Sequence, residues 1–273
     1  MEQDETKGTN LNATIDSVSG LVKAVPVYQD AIQPAAKQIG QTLETVSKTV
    51  NIALAPIKAL VWGYEKIEDF ITNRVSEKLK NIPEENITTP PPQVAGPTIE
   101  ALRYSGHDPN LRELYANLLA TAMDKETIHK AHPGFVEIIK NLTSDEATLI
   151  QVFKGNNQYP IIDIRADFQD SNKGFITIYS NYSHLSKIVV IKRTDLIPTY
   201  LDNLCRLGIL EIPSGVYLTA PNTYEPLETS LEWESVKELL EKEPYKKIGF
   251  ERKLIKPTAF GKLFIENVVN EKK

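Results

Sequence analysis

One stretch decides the helical part of the fold: DPNLRELYANLLATAMD, residues 108–124. Asp108 and Pro109 have the chemistry of an N-cap and a first helical residue, because the carboxylate can accept backbone N–H bonds and proline needs no donor there. The apolar positions that follow recur with the 3.6-residue period of an α-helix. They are Leu111, Leu114, Tyr115, Leu118, Leu119, Ala122 and Met123. The stretch therefore predicts a helix with an apolar face for a core.

Further helices are predicted on both sides of this stretch. Upstream, residues 97–103 predict a helix that begins at Pro97. Downstream, one helix begins near Pro133, and the run Thr143-Ser-Asp-Glu146 has the pattern of a capping box. The apolar residues after that box predict another helix up to residue 153. Together these helices form a predicted central block, residues 98–154.

Beyond Gly155 the apolar period changes from 3.6 to 2, which predicts strands. Two alternating runs, 162–168 and 175–179, flank a turn-like segment and predict a hairpin, and 187–193 is a third strand candidate. A helix with Tyr200, Leu201, Leu204 and Leu207 on its core side then leads to a second predicted hairpin, 209–212 with 216–219. A last helix covers 257–269. The fold class is therefore mainly α, α+β overall, with a winged-helix-like region over 155–273.

The N-terminal third predicts helices that differ in character from the central block. Residues 1–19 are polar and predict a disordered tail. Residues 20–81 predict N-terminal helices, and 82–97 predict a Pro-rich linker or a strap along a surface. Apolar residues recur as heptad a/d pairs, typical of a coiled coil or of a kinked helical pair on the chain's own body. The pairs are Leu43/Val46, Val50/Ala53, Ile57/Leu60 and Tyr64/Ile67.

Residues 50–62 read VNIALAPIKALVW and are apolar on nearly every side, with Lys58 as the only charge. A helix of this kind is buried or lies in lipid. At about 1.5 Å per residue the run spans about 20 Å, which is shorter than the ~30 Å hydrocarbon core of a bilayer. The sequence leaves three interpretations open: a core helix, a protein interface through self-association or a partner, and a membrane contact.

Composition excludes several classes of protein. The chain has 273 residues, a formal net charge of −5 and one cysteine, so it has no intrachain disulfide and no zinc site built on cysteines. No basic-then-apolar leader begins the sequence, which predicts a cytoplasmic protein, with a place at the inner membrane as an open alternative. Nucleic-acid binding is not favoured, because the candidate recognition helix 201–207 carries Asp202 and only one cation, Arg206.

One basic cluster, residues 246–256, is the part of this acidic chain that best suits nucleic-acid binding. Its members are Lys246, Lys247, Arg252, Lys253 and Lys256. A winged-helix regulator that binds DNA through such a cluster is the alternative function.

None of the polar residues predicts a catalytic, cofactor or metal site. Three groups of polar residues are the candidates. Candidate metal ligands are Glu126, His129 and His132, and candidate acid–base groups are Asp163, Asp167 and Asp170. A candidate partner or ligand site on the central helix consists of Asp108, Arg112, Glu113 and Asn117. Pro133 makes a continuous helix through the metal-ligand candidates doubtful. The three aspartates lie along a strand and in a turn, so their carboxylates need not meet at one site. In the third group, Arg112 can pair with Asp108, and Asn117 is expected to bond a neighbouring backbone. Cys205 is expected to be a small core residue.

Four segments carry a resemblance to a known family. They are residues 108–124, HPGFVEIIK at 132–140, LTSDEA at 142–147 and PTAFGKLF at 257–264. In these segments the chain resembles the abortive infection alpha proteins of bacteria, and the upstream helices with Pro56 and Trp62 fit the family's layout. The resemblance implies a role in phage defence and no particular chemistry. The leading hypothesis is a non-enzymatic defence protein that acts by protein or membrane contact; an enzyme remains open.

Overall fold

A computed structural model describes residues 63–230 and 245–271 of the chain. The predicted disordered tail, the N-terminal helices as far as residue 62, and most of the heptad pattern lie outside the described residues. So does the apolar run 50–62. The charged side chains of Lys246 and Lys247 are likewise not described.

Five helices build the first half of the fold. They are α1 (Tyr64–Leu79), α2 (Pro92–Ser105), α3 (Pro109–Ala122), α4 (Gly134–Lys140) and α5 (Ser144–Leu149). Helix α3 is central and contacts each of the other four. Its Leu114, Leu118 and Leu119 are at most 1% exposed, because a helix that is apolar on nearly every side requires neighbours all around it.

The predicted helix starts of α3 and α5 are confirmed. The Asp108 carboxylate accepts hydrogen bonds from the backbone N–H groups of Asn110, at 2.9 Å, and Leu111, at 3.1 Å. The capping box forms in both directions: Glu146 N donates to Thr143 Oγ1 at 3.2 Å, and Thr143 N donates to Glu146 Oε2 at 2.7 Å. Each cap satisfies donors that have no partner inside the helix.

The Pro-rich segment is shorter than the sequence predicted. Helix α2 already begins at Pro92, with Pro97 inside it, so the prediction of a linker that extends to residue 97 is wrong. Pro92 occupies the first turn, where the missing N–H costs nothing. Before it, the chain runs along the end of α3: Thr88 N donates to Met123 O at 2.8 Å. These residues therefore form a strap, and the division into domains stays a prediction.

A four-stranded antiparallel sheet follows, in the order β2-β1-β4-β3. The strands are β1 (Tyr159–Phe168), β2 (Phe175–Tyr182), β3 (Leu210–Glu211) and β4 (Tyr245–Pro257). The predicted hairpin of β1 and β2 is confirmed. Strand β4 pairs with β1 along its full length, from Tyr159 opposite Ile255 to Phe168 opposite Tyr245, although no strand was predicted there.

The remaining elements confirm the predicted helices and correct two predicted strands. Helix α6 (Ile197–Arg206) forms, followed by α7 (Glu225–Glu228), α8 (Ala259–Phe264) and a π-helical turn (Ile265–Val269). The second hairpin was predicted wrongly: 216–219 is not a strand, and β3 pairs with β4 instead. Residues 187–193 are irregular rather than a strand. The fold is mainly α, α+β overall, and the winged-helix arrangement is not confirmed.

The core extends through both halves of the described chain. One cluster of buried apolar side chains runs from Ile67 in α1 to Val269 at the end of the π-helical turn. Ile161 of β1 belongs to it, whereas Ile162 and Ile164 belong to a smaller cluster with Tyr224. Helices thus pack against one face of the sheet, and the segment around α7 packs against the other face.

Candidate functional site

The segments of 132–135 and 257–264 meet in one aromatic cluster. Phe135 of α4 lies 5.2 Å, between ring centroids, from both Phe260 and Phe264 of α8. His132 contacts Phe260 edge-on at 5.3 Å, and its Nδ1 accepts the N–H of Gly134 at 3.0 Å. His132 therefore accepts a backbone donor at the start of α4 and also packs against the C-terminal helix.

Helix α3 binds the π-helical turn through two buried side chains. Asn117 Nδ2 donates to Val268 O at 2.8 Å, and Thr121 Oγ1 donates to Asn267 O at 2.8 Å. Asn117 is 3% exposed and Thr121 4%. The carbonyls at a helix end need donors from elsewhere, so α3 supplies them. The prediction that Asn117 bonds a neighbouring backbone is confirmed.

Helix α8 begins in direct contact with the chain before β3. Thr258 Oγ1 accepts the N–H of Gly261 at 2.8 Å and donates to Gly208 O at 2.5 Å, while Thr258 N donates to Ile209 O at 3.0 Å. A Cβ on Gly261 would lie 1.9 Å from Ile209 O. Only glycine fits at this position, which explains the Gly in PTAFGKLF.

Helix α1 is bound to α3 by an ion-pair cluster. Glu113 of α3 accepts hydrogen bonds from Arg74, at 2.8 and 2.9 Å, and pairs with Lys78. Burial opposes ionisation of Glu113, but the hydrogen bonds from Arg74 and Lys78 outweigh it and lower the pKa of Glu113 below its usual value. The same hydrogen bond with Glu113 raises the pKa of Arg74. The cluster therefore stays charged at neutral pH.

An open groove of about 670 Å³ lies beside this cluster, between α1 and the start of α3. Phe70 and Arg112 form part of its wall, with the Arg112 guanidinium 5.6 Å from the Phe70 ring centroid. The predicted Asp108–Arg112 pair does not form, because the Asp108 carboxylate is occupied by backbone N–H groups. Sequence reasoning missed the Glu113 pairs, since their partners lie 35 and 39 residues away.

Two adjacent carboxylates at the start of α5 hold the second half of the fold in place. Asp145 accepts hydrogen bonds from the N–H groups of Lys192 and Arg193 at 3.2 and 3.0 Å, and from Tyr200 OH at 3.2 Å. Glu146 accepts one from Asn203 Nδ2 at 2.7 Å. Helix α5 thereby fixes both helix α6 and the loop before it.

The described members of the basic cluster are all paired with carboxylates. Arg252 binds Glu228 at 2.6 Å, Lys253 binds Asp163 at 2.6 Å and Lys256 binds Glu211 at 3.3 Å. In the candidate recognition helix, Arg206 donates to Asn203 Oδ1. Phosphate binding relies on cations that can neutralise the nucleic-acid backbone, and here these cations are already neutralised by the protein.

The residues weighed as metal or acid–base groups do not converge. His129 lies in a short 3₁₀ turn (Ile128–Lys130), so 126–132 is not one helical face. Asp163 pairs with Lys253, whereas Asp170 accepts the N–H of Asn172 in the turn after β1. Across residues 63–230 and 245–271, no three His, Cys, Asp or Glu side chains are grouped as metal ligands would be.

A polar cluster that the sequence did not predict lies at the end of β2. Tyr182 OH donates to Ser230 Oγ at 2.7 Å, and His184 Nε2 lies 3.4 Å from the same oxygen and 3.1 Å from Lys187 Nζ. Ser230 is 46 residues from His184 in the chain, too far for spacing to reveal the contact.

Cys205 is half-buried, and burial raises the pKa of its thiol to about 11, with Asp202 adding to the shift.

Within the described part of the chain, every helix falls short of the length and apolarity needed to cross a bilayer.

The chain was compared with curated proteins and with solved structures. No curated protein matches the chain. One solved structure is similar to it, that of an uncharacterized protein from the hydrocarbon-degrading marine bacterium Alcanivorax borkumensis SK2. The two are 18% identical, the match covers 50% of this chain and 93% of that one, and the TM-score is 0.36.

The model of the family described as abortive infection alpha matches residues 63–268. The match includes the four segments that meet around α3 and the C-terminal helix. This protein therefore belongs to the abortive infection alpha family and is a bacterial phage-defence protein.

Proposed function

We propose that this protein defends by contact with a protein partner or with the inner membrane, rather than by catalysis. One observation carries the proposal: the polar side chains of the family segments are engaged in holding the fold together. A catalytic acid or base must reach the substrate, whereas these groups bind backbone groups or the side chains of neighbouring elements. They are Asp108, Glu113, Asn117, Thr121, His132, Thr143, Glu146 and Thr258.

The contact element of the proposal is the apolar run 50–62. It directly precedes α1, which is held against the body by buried Ile71, Val75 and Leu79 and by the ion pairs to Glu113. A contact made by residues 50–62 would therefore act on α3, because α1 joins the run to α3 through these buried and paired side chains. Either lipid or a partner's apolar surface fits the composition of the run.

The test is Leu54→Lys, with Leu54→Met as the matched control that preserves an apolar side chain of similar volume. Bacteria that express each variant are challenged with phage. We expect Leu54→Lys to fold and melt like the parent protein but to lose protection, and we expect Leu54→Met to protect. Membrane potential and cell fractionation, followed during infection, separate a lipid contact from a protein contact.

Two outcomes contradict the proposal. Full protection by Leu54→Lys would show that the run makes no functional contact. A large fall in melting temperature would show that Leu54 is a core residue, since an unpaired buried charge is costly.

The alternative, a DNA-binding regulator, is not favoured, because Arg252, Lys253 and Lys256 are paired with carboxylates. Salt-sensitive retention of the protein on DNA would support this alternative.

A further inference from the structure

The loop of residues 187–193 presents two aliphatic side chains to solvent. Ile188 is 55% exposed and Val190 is 89% exposed. Single exposed apolar residues are common on protein surfaces. Here, however, two of them lie on one loop, two residues apart.

The loop is held rigidly at both ends. Leu185 and Ile191 are buried at 1% and 7% exposure. The N–H groups of Lys192 and Arg193 both donate to the Asp145 carboxylate, which is itself 8% exposed. These anchors hold the backbone on either side of the two aliphatic side chains, which the fold leaves exposed.

Cations flank the aliphatic pair on both sides. Lys187 and Lys192 are exposed, and Arg193 is exposed and paired with Asp195. From residue 187 to residue 195 the chain carries three cations and one carboxylate, a local charge of +2 in a protein whose net charge is −5. Lys187 is exposed, and its Nζ lies 3.1 Å from His184 Nε2.

We propose that this loop docks on an anionic lipid surface. Ile188 and Val190 enter the boundary between headgroups and acyl chains, while Lys187 and Lys192 meet the lipid phosphates. Apolar residues with lysines beside them suit a bilayer interface, where hydrocarbon and negative charge are a few ångströms apart. A protein surface would need an apolar pocket with an acidic rim to match the same tip.

This site goes beyond the proposed function, because it stands on a different segment from residues 50–62. It also places the structured body, and not only the N-terminal run, against the bilayer. The two contacts can therefore fail separately in an experiment.

The experiment is flotation of the full chain with vesicles of phosphatidylcholine containing a quarter phosphatidylglycerol, beside vesicles of pure phosphatidylcholine. Val190→Asp is compared with Val216→Asp, which changes an exposed valine, 45% accessible, on another loop. Both positions are open to solvent, so both variants are expected to keep the parent's melting temperature.

We expect the parent and Val216→Asp to float with the anionic vesicles and Val190→Asp to bind at least tenfold more weakly. Lys192→Gln is expected to weaken binding about fivefold, the effect of roughly one cation near an anionic surface. Binding to pure phosphatidylcholine should be weaker, and added salt should reduce binding to the anionic vesicles.

Two results would overturn the proposal. One is absence of parent binding to anionic vesicles; loss of phage protection in Val190→Asp alongside it would assign the loop to a protein partner. The other is equal binding by Val190→Asp and the parent; loss of binding in Leu54→Lys alongside it would assign the lipid contact to residues 50–62.

Discussion

Replacing Gly261 by alanine tests the close contact between α8 and the chain before β3. The added Cβ would lie 1.9 Å from the carbonyl oxygen of Ile209, 2.7 Å from its carbonyl carbon and 3.0 Å from its Cα. All three atoms are backbone, so no side chain can rotate away. To reach an ordinary carbon–oxygen contact of about 3.3 Å, the two segments must separate by roughly 1.4 Å.

That separation affects the packing and one hydrogen bond. Overpacking of this kind costs about 1–3 kcal/mol. The bond from Thr258 N to Ile209 O, now 3.0 Å long, is stretched or lost, which costs about 1 kcal/mol more. We expect a loss of about 2–4 kcal/mol in the free energy of unfolding. For a domain of this size, that corresponds to a fall in melting temperature of roughly 4–16 °C.

The assay is thermal and urea unfolding followed by circular dichroism, with Gly96→Ala as the matched control. Gly96 lies inside α2, and apart from its two chain neighbours a Cβ there meets no atom within 4 Å. Alanine favours a helix by about 0.5–1 kcal/mol over glycine, but Pro97 beside it disfavours helical backbone for a residue that carries a Cβ, so we expect little net change in stability. The two substitutions are the same, and only the one at Gly261 should lower the melting temperature markedly. A Gly261→Ala protein that melts within a degree of the parent would refute the packing described for α8.

Three further outcomes are expected. Glu113→Gln should melt below the parent at pH 7, and the difference should narrow below about pH 4.5, because a lowered carboxyl pKa contributes stability that is lost on protonation; a constant difference across that range would be inconsistent with the ion pairs. Asn117→Ala should lower the free energy of unfolding by about 1–3 kcal/mol, since Val268 O loses its buried donor; an unchanged urea midpoint would exclude that role. Cys205, with a pKa raised to about 11, should react with iodoacetamide at pH 8 at least tenfold more slowly than in the urea-unfolded chain; equal rates would show an accessible thiolate.

Local signals in the sequence predicted the helical half of the described fold well. The N-cap Asp108 and the capping box of Thr143 each act within three residues, so their partners can be read from spacing. The π-helical contact of Asn117 was predicted only as a bond to some neighbouring backbone. Its partner, Val268, lies 151 residues away, and no pattern within a segment identifies it.

The strands were predicted less well, because strand formation depends on a neighbouring strand more than on composition. Residues 187–193 are rich in β-branched side chains, but Asp145 binds their backbone and no strand lies beside them in the described sheet. Strand β4 was missed because Arg252 interrupts its alternation of Ile248, Phe250 and Leu254. The cations of β4 indicated a possible nucleic-acid site, whereas three of them are paired with carboxylates in the structure.

The pairing of β4 with β1 has a consequence for the order in which the protein can assemble on the ribosome. Strand β1 ends at Phe168 and β4 begins at Tyr245, so roughly 80 residues are synthesised between them, which takes about 4–16 s at 5–20 residues per second. During that interval the long edge of β1 that β4 later occupies has no permanent neighbour. The carbonyls that receive Asn117 and Thr121 emerge later still, in residues 267 and 268. The central helix and the first strand must therefore wait for the last part of the chain, and a chaperone that covers an unpaired strand edge would find its substrate in that interval.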